Sequence, residues 1–183
     1  ALAGSVADLA SAPGAAGSRA AGALAAAVRS VEEDAAEAQR LLAVERTRYV
    51  RGLREGSSVK PPFESLWLTS NDALDDIAGV AGAYRAAGFA MDARACQNRP
   101  DSLEAECRFM AQLCREQADA ADGGDPARAA ELAAAQASFA AAHLGRWAPA
   151  WCAQAAGQSQ SAVLTGILLL AAEFIEDEKE GVA

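Results

Sequence analysis

Apolar residues recur at three- and four-residue intervals over most of this chain, the period of a helix with one buried face. A first helix is predicted from about Arg19 to Arg29. A second runs from about Val31 to Arg54 and carries Leu41, Leu42, Val44, Tyr49, Val50 and Leu53. Glu32, Glu33 and Asp34 early in it, and Arg46, Arg48, Arg51 and Arg54 late, complement the helix dipole at both ends. Gly56-Ser57-Ser58 stops it. The next helix is expected to start near the capping group Ser70-Asn71-Asp72 and to run to about Gly88. Asp101 or Ser102 can cap a helix from Leu103 to about Ala121, with Glu104 in its first turn. Its stripe is Leu103, Cys107, Met110 and Leu113 or Cys114, with Phe109 alongside. Asp122-Gly123-Gly124-Asp125-Pro126 is a break, and Pro126 suits the first turn of a new helix. That helix runs from about Ala127 to Leu144 or Trp147 on Leu132, Ala135, Phe139 and Ala142. Pro149 is expected to interrupt or kink it, so that Trp151 and Cys152 begin another element. A last helix covers about Ser159 to Asp177.

Composition narrows the fold class. The 183 residues include 50 alanines but only 9 valines, 3 isoleucines and 3 threonines, so helix formers dominate and strand formers are scarce. The expectation is an all-α fold, a single compact bundle of six or seven helices with short links, over residues 19–183. Residues 1–18 form a low-complexity alanine, glycine and serine segment, read as a short helix with a loop or as partly disordered. The apolar run from Ala162 is ended by Glu173 and then by Glu176-Asp177-Glu178. It falls short of the roughly 20 residues that span a bilayer and reads as a buried core helix.

Charge and cysteine content then remove several functions. A formal net charge of −9 repels phosphate backbones and anionic headgroups, so neither nucleic acid nor a membrane is an expected partner. A basic peptide fits better, and plain solubility is the bland explanation of the same charge. Cys96, Cys107, Cys114 and Cys152 show no CxxC spacing, and His143 is the single histidine, so no metal or cofactor is expected. Cys107 and Cys114, seven apart on one helix face, read as small buried core residues, and free thiols suit a reducing compartment. Neither a GxSxG elbow nor a phosphate-cradling glycine loop is present, and the paired acids Asp75-Asp76 and Glu104 with Glu106 read as solvated faces. The chain does not read as an enzyme.

Two stretches break the helical pattern with residues a mere linker would not use. Pro61-Pro62-Phe63-Glu64-Ser65-Leu66-Trp67-Leu68 is bulky, apolar and stiff, and Asn98-Arg99-Pro100-Asp101-Ser102-Leu103 is the second. Two accounts fit the first stretch. Phe63, Trp67 and Leu68 plug the core where helices diverge, or prolines hold open an apolar groove with Glu64 at its rim.

Together these stretches resemble the TorD/DmsD/NarJ family of redox-enzyme maturation chaperones. The resemblance rests on Tyr49, Gly56 and Pro61 to Leu68, then Tyr84-Arg85-Ala86-Ala87-Gly88-Phe89. It continues through Pro100-Asp101-Ser102-Leu103 with Glu106, Phe109, Met110 and Leu113, and through Phe139, His143-Leu144 and Arg146-Trp147-Ala148-Pro149. It covers roughly Leu41 to Glu178, and its strength lies in the order and spacing of motifs. Ser102 stands where the family usually has histidine, Gly52-Leu53 where Leu-Phe is common, and the N-terminal region is shorter and richer in alanine.

The resemblance implies a cytoplasmic, all-helical chaperone with no catalysis of its own. Its implied partner is the catalytic subunit of a molybdenum- or tungsten-pterin oxidoreductase, bound by its twin-arginine signal peptide or another segment while cofactor is inserted before export. The implied peptide contacts are Pro61, Pro62, Phe63, Glu64, Ser65, Trp67, Pro100, Asp101, Ser102, Glu106 and Phe109. Carboxylates of Asp101, Glu64 or Glu106 would meet the arginines, and Phe63, Trp67, Phe109 and Met110 the apolar run. A monomer or a helix-swapped dimer is expected, without stable membrane insertion. Two other classes compete: a non-catalytic helical adaptor or regulatory module docking on a folded partner, and a metal- or small-molecule-binding bundle built on the cysteines. Nucleotide binding, suggested for the family, finds no phosphate site in this chain.

Overall fold

The computed structural model describes residues 19–51, 59–68, 73–92 and 99–180. The expectations for residues 1–18, Gly52, Gly56-Ser57-Ser58, Ser70-Asn71-Asp72 and Cys96 lie outside them. Among the described residues the fold is all-α, as expected. Its elements are α1 (Arg19–Glu33), α2 (Ala35–Arg51), α3 (Glu64–Trp67), α4 (Ala73–Ala86), α5 (Leu103–Asp122) and α6 (Pro126–Phe139). A π-helical turn (Ala140–Leu144), α7 (Gly145–Gln158) and α8 (Ala162–Glu180) complete the order. Extended backbone pairs in one isolated antiparallel bridge, Phe63 with Ser102. No helix among the described residues is long and apolar enough to cross a membrane. The chain divides into two compact units, residues 1–61 with 149–174 and residues 62–148 with 175–183.

In the first unit, α1 buries Ala20, Leu24, Ala27 and Val31 at helical spacing. Ala27 and Val31 form a small core with Ala38 of α2 and Val163 of α8, and Val28, Leu42 and Ile167 pack against it. The break between α1 and α2 falls at Asp34 and not near Ser30. The Asp34 carboxylate accepts from the N–H groups of Ala36 and Glu37 at 3.1 and 3.0 Å, an N-cap that restarts the helix. The Ser30 hydroxyl instead bonds back to the Ala27 carbonyl, leaving α1 to run on to Glu33. Gly166 lets α8 lie close to α1, since a Cβ there would stand 3.1 Å from Leu24 Cδ2 and 3.3 Å from the Ala23 carbonyl oxygen. Glu173 of α8 accepts from the Ala20 N–H in the first turn of α1.

Glu45 of α2 is buried and ties down the turn that precedes α8. Its carboxylate accepts from the backbone N–H groups of Gln160 and Ser161 at 2.9 and 3.2 Å and from the Ser159 hydroxyl. Ser161 then caps α8 by accepting from Leu164 N–H.

In the second unit, Ser102 caps α5 by accepting from Ala105 N–H, and Asp125 caps α6 by accepting from Arg128 N–H with Pro126 next to it. Gly124 takes φ +75° to close the turn between them, as only glycine does readily. Rings of Tyr84, Phe89, Phe109 and Phe139 pack with centroids 4.8 to 6.0 Å apart. Cys152 is fully buried and Cys107 and Cys114 are partly buried, and burial pushes the Cys107 thiol up to about 12. Cys114 leans on Gln136, its Sγ 3.3 Å from the side-chain oxygen.

Pro149 does not break its helix. The irregularity comes earlier, where Gly145 N–H bonds to the carbonyl of Ala140, five residues back. Pro149 thus falls early in a helix restarted at Gly145, near the N–H groups that a new helix leaves unpaired. A Cβ at Gly145 would stand 2.6 Å from the Ala140 carbonyl oxygen, so the wide turn needs glycine.

Replacing Glu45 with alanine removes the carboxylate acceptor from the Gln160 and Ser161 N–H groups and the Ser159 hydroxyl and leaves a gap at a buried position. The expected loss is about 2–4 kcal/mol in urea unfolding, with Glu45→Gln recovering part of it through its remaining acceptor oxygen. Equal stability of Glu45→Ala and the parent protein would show that the carboxylate is dispensable.

Candidate functional site

The two non-helical stretches meet. Glu64 N–H donates to the Asp101 carbonyl at 2.8 Å and Leu103 N–H to the Pro62 carbonyl at 3.0 Å, so the Pro-Pro-Phe-Glu-Ser segment lies against the Arg-Pro-Asp-Ser segment. Prolines before each pairing hold the backbone extended for it. Tyr84 braces the joint by donating its hydroxyl to the Pro100 carbonyl at 2.8 Å.

Asp101 is the centre of this joint and is fully buried. Arg99 grips its carboxylate with two N–H donors, each at 2.7 Å. The Ser65 hydroxyl donates to it at 2.7 Å and the Ser65 N–H at 3.3 Å. The Arg99 guanidinium also lies over the Phe63 ring, 4.3 Å from its centroid. Burial alone would raise the Asp101 pKa, but the hydrogen bonds from Arg99 and Ser65, with the charge of Arg99, outweigh it and hold the carboxyl below its ordinary value.

Glu64 and Glu106 are fully buried as well. Both Glu64 oxygens lie 3.2 Å from His143 Nδ1, and Arg146 approaches one of them at 3.9 Å. Glu106 has a weaker environment: one oxygen accepts a long bond from the Trp147 indole at 3.4 Å, and the other has no partner. Burial, and then the nearby Glu64, push the Glu106 pKa well above the ordinary carboxyl range.

These placements change the expected site. Pro62, Glu64, Ser65, Asp101, Ser102, Glu106 and Phe109 are buried, while Pro61, Phe63, Trp67 and Pro100 are half-buried. The three carboxylates expected to greet incoming arginines are turned inward, and two already hold cationic partners of this chain. The plug and groove accounts both describe part of the result: the stretch fills space, and a hollow lies on the α4, α5 and α6 side of Phe109.

That hollow has a volume of about 440 Å³. Phe109 and Leu113 of α5, Leu132 and Phe139 of α6 and His143 of the π turn line it, with Ala83, Ala86 and Ala87 of α4 and Ala135 and Ala142 completing the walls. Glu116, Arg128 and Glu131 are the charges among its lining residues, Arg128 lying 3.7 Å from Glu116 and 3.2 Å from Glu131. Sequence reasoning missed Arg99 as the holder of Asp101, although it stands two residues away, and missed the groove-lining Leu113, Leu132 and Phe139 as a surface. The Phe139 and His143 spacing was visible as one turn of helix, but nothing in the sequence says that His143 faces a glutamate 79 residues earlier.

The two unusual acids give stability opposite dependences on pH. Asp101 binds its proton more weakly in the folded state, so its contribution is present above the ordinary carboxyl range and disappears as pH falls through its lowered pKa. Glu106 binds its proton more tightly in the folded state, so stability declines as pH rises above the ordinary glutamate pKa toward its raised one. Thermal melts should therefore show the parent protein losing stability from pH 5 to pH 8 relative to Glu106→Gln, which carries a neutral isostere at every pH. Parallel profiles for the two proteins would mean that Glu106 is ionised in the fold. Asp101→Ala should lower stability by about 2–4 kcal/mol in chemical denaturation, because it removes one partner of a buried ion pair and leaves Ser65 without its acceptor.

The family model of the nitrate reductase delta subunit matches residues 13–153, most of the chain. That span contains both paired stretches, the groove and His143. No curated protein matches the chain, and no solved structure does. Members of the matched family are assembly chaperones of molybdenum enzymes and not catalysts. The resemblance to maturation chaperones read from the motif order thus agrees with the match, and the chain belongs to the nitrate reductase delta subunit family.

Proposed function

We propose that this chain is a cytoplasmic chaperone that binds the twin-arginine signal peptide, or another segment, of a molybdenum- or tungsten-pterin oxidoreductase catalytic subunit, holding it while the cofactor is inserted before export. The observation that carries the proposal is the groove between α4, α5 and α6, apolar along its floor and built beside the paired Pro-Pro-Phe-Glu-Ser and Arg-Pro-Asp-Ser segments. A signal peptide presents an apolar, helix-prone run after its arginines. Alanine walls let such a run approach closely, and Phe109, Leu113, Leu132 and Phe139 offer it contact area.

The roles of the expected contact residues divide by burial. Phe63, Trp67 and Pro100 are half-exposed and serve as further contact surface beside the groove. Pro62, Glu64, Ser65, Asp101, Ser102 and Glu106 act from beneath, keeping the segment beside Phe109 in a single shape. The net charge of −9 speeds encounter with a basic peptide, and reversible release calls for an interface with few deeply buried anchors.

Calorimetry with a synthetic peptide of two arginines followed by an apolar run tests the proposal. Ala135 lines the groove at an exposed position, so Ala135→Trp should fill the hollow, preserve the circular dichroism spectrum and weaken the peptide by about tenfold or more. Raising salt should weaken binding to the parent protein. An Ala135→Trp variant that binds as well as its parent would place the peptide elsewhere.

A further inference from the structure

His143 is presented to the groove by four separate features of the chain. Its Nδ1 sits 3.2 Å from both oxygens of Glu64, which is itself fully buried and fixed through its backbone to Asp101. The π turn moves the helix register at Ala140–Leu144, so that Ala140 and Leu144 are buried while His143 lines the groove. Gly79 of α4 leaves room for the ring, since a Cβ there would lie 3.3 Å from His143 Cε1. Phe139 supports the ring, with centroids 5.1 Å apart.

These contacts assign the atoms of the imidazole. Glu64 accepts a hydrogen bond from the N–H at Nδ1, the tautomer in which Nε2 carries the lone pair and can accept. With Nδ1 on Glu64 and Cε1 against Gly79, the Nε2–Cδ2 edge is what remains for the groove. The other acceptors among the groove's lining residues are the Ser138 hydroxyl and the carboxylates of Glu116 and Glu131, and Arg128 already pairs both carboxylates. Among the neighbouring charges, Arg99 is taken by Asp101. Arg146, half-exposed, stands 3.9 Å from Glu64.

We propose that His143, held by Glu64, is the group that reads an arginine of the client segment: Nε2 accepts a hydrogen bond from the guanidinium at the end of the groove, while the client's apolar residues lie along Phe109, Leu113, Leu132 and Phe139. This rests on the client-binding role proposed above. Glu64, expected from sequence to meet the arginine itself, is a positioning residue that acts through the imidazole.

Two peptides decide it, one with two arginines before an apolar run and one with methionine at both arginine positions, each measured by calorimetry against the full chain. The parent protein should prefer the arginine peptide by about tenfold, the size of one charge-assisted hydrogen bond. His143→Asn keeps an amide donor for Glu64 but has nothing where Nε2 was. It should bind both peptides equally. His143→Gln places an acceptor near the Nε2 position and should retain most of the preference. A preference that persists in His143→Asn, or one absent from the parent protein while both peptides bind, overturns the assignment and leaves the client-binding role standing. Failure of the parent protein to bind either peptide overturns both.

Discussion

A carboxylate removed from water must find donors, and this need organises the second unit of the chain. Asp101, Glu64 and Glu106 have no solvent exposure, and each meets it in a different way. Asp101 is saturated by a two-pronged arginine and a serine. Glu64 has a histidine with an arginine behind it. Glu106 has one long bond from Trp147, and burial holds its proton more tightly than usual. The bonds to Asp101 join two segments that are far apart in sequence. With the Leu103–Pro62 backbone bond they fix the Pro-Pro-Phe-Glu-Ser stretch relative to α5, whose first turns carry Glu106 and Phe109.

The paired stretches hold each other firmly in place. Bidentate bonding and the stacking of Arg99 on Phe63 resist sliding as well as separation, because a guanidinium is planar and its donors are fixed in direction. The rigidity passes to the groove by short routes. Tyr84 links the Pro100 carbonyl to the ring cluster of Phe109 and Phe139, and Glu64 reaches the groove through His143.

How much of this was legible in sequence depends on the range of each interaction. Helices declared themselves, because periodicity and caps are local: Ser102, Asp125 and Pro126 sit where their chemistry predicts. Errors arose where two local signals competed. Ser30 and Asp34 can both cap a helix, and Asp34 prevailed because Ser30 could satisfy its hydroxyl on the preceding turn. Pro149 is a breaker in isolation, yet the π turn upstream had already absorbed the irregularity. The two special stretches were recognisable as a pair, but the direction in which their acids point was not. An exposed and a buried carboxylate are the same letter, and only the placement of Arg99, His143 and Trp147 around them separates the cases.

Glu45 and Glu173 bear on how the chain comes to be folded at all. One carboxylate receives the turn before α8 from a position more than a hundred residues earlier, and the other reaches back to the start of α1. The early helices therefore have their small core completed, at Val163 and Ile167, by a segment made long after them. During synthesis α1 and α2 must wait, exposed and without a lid, until α8 has left the ribosome.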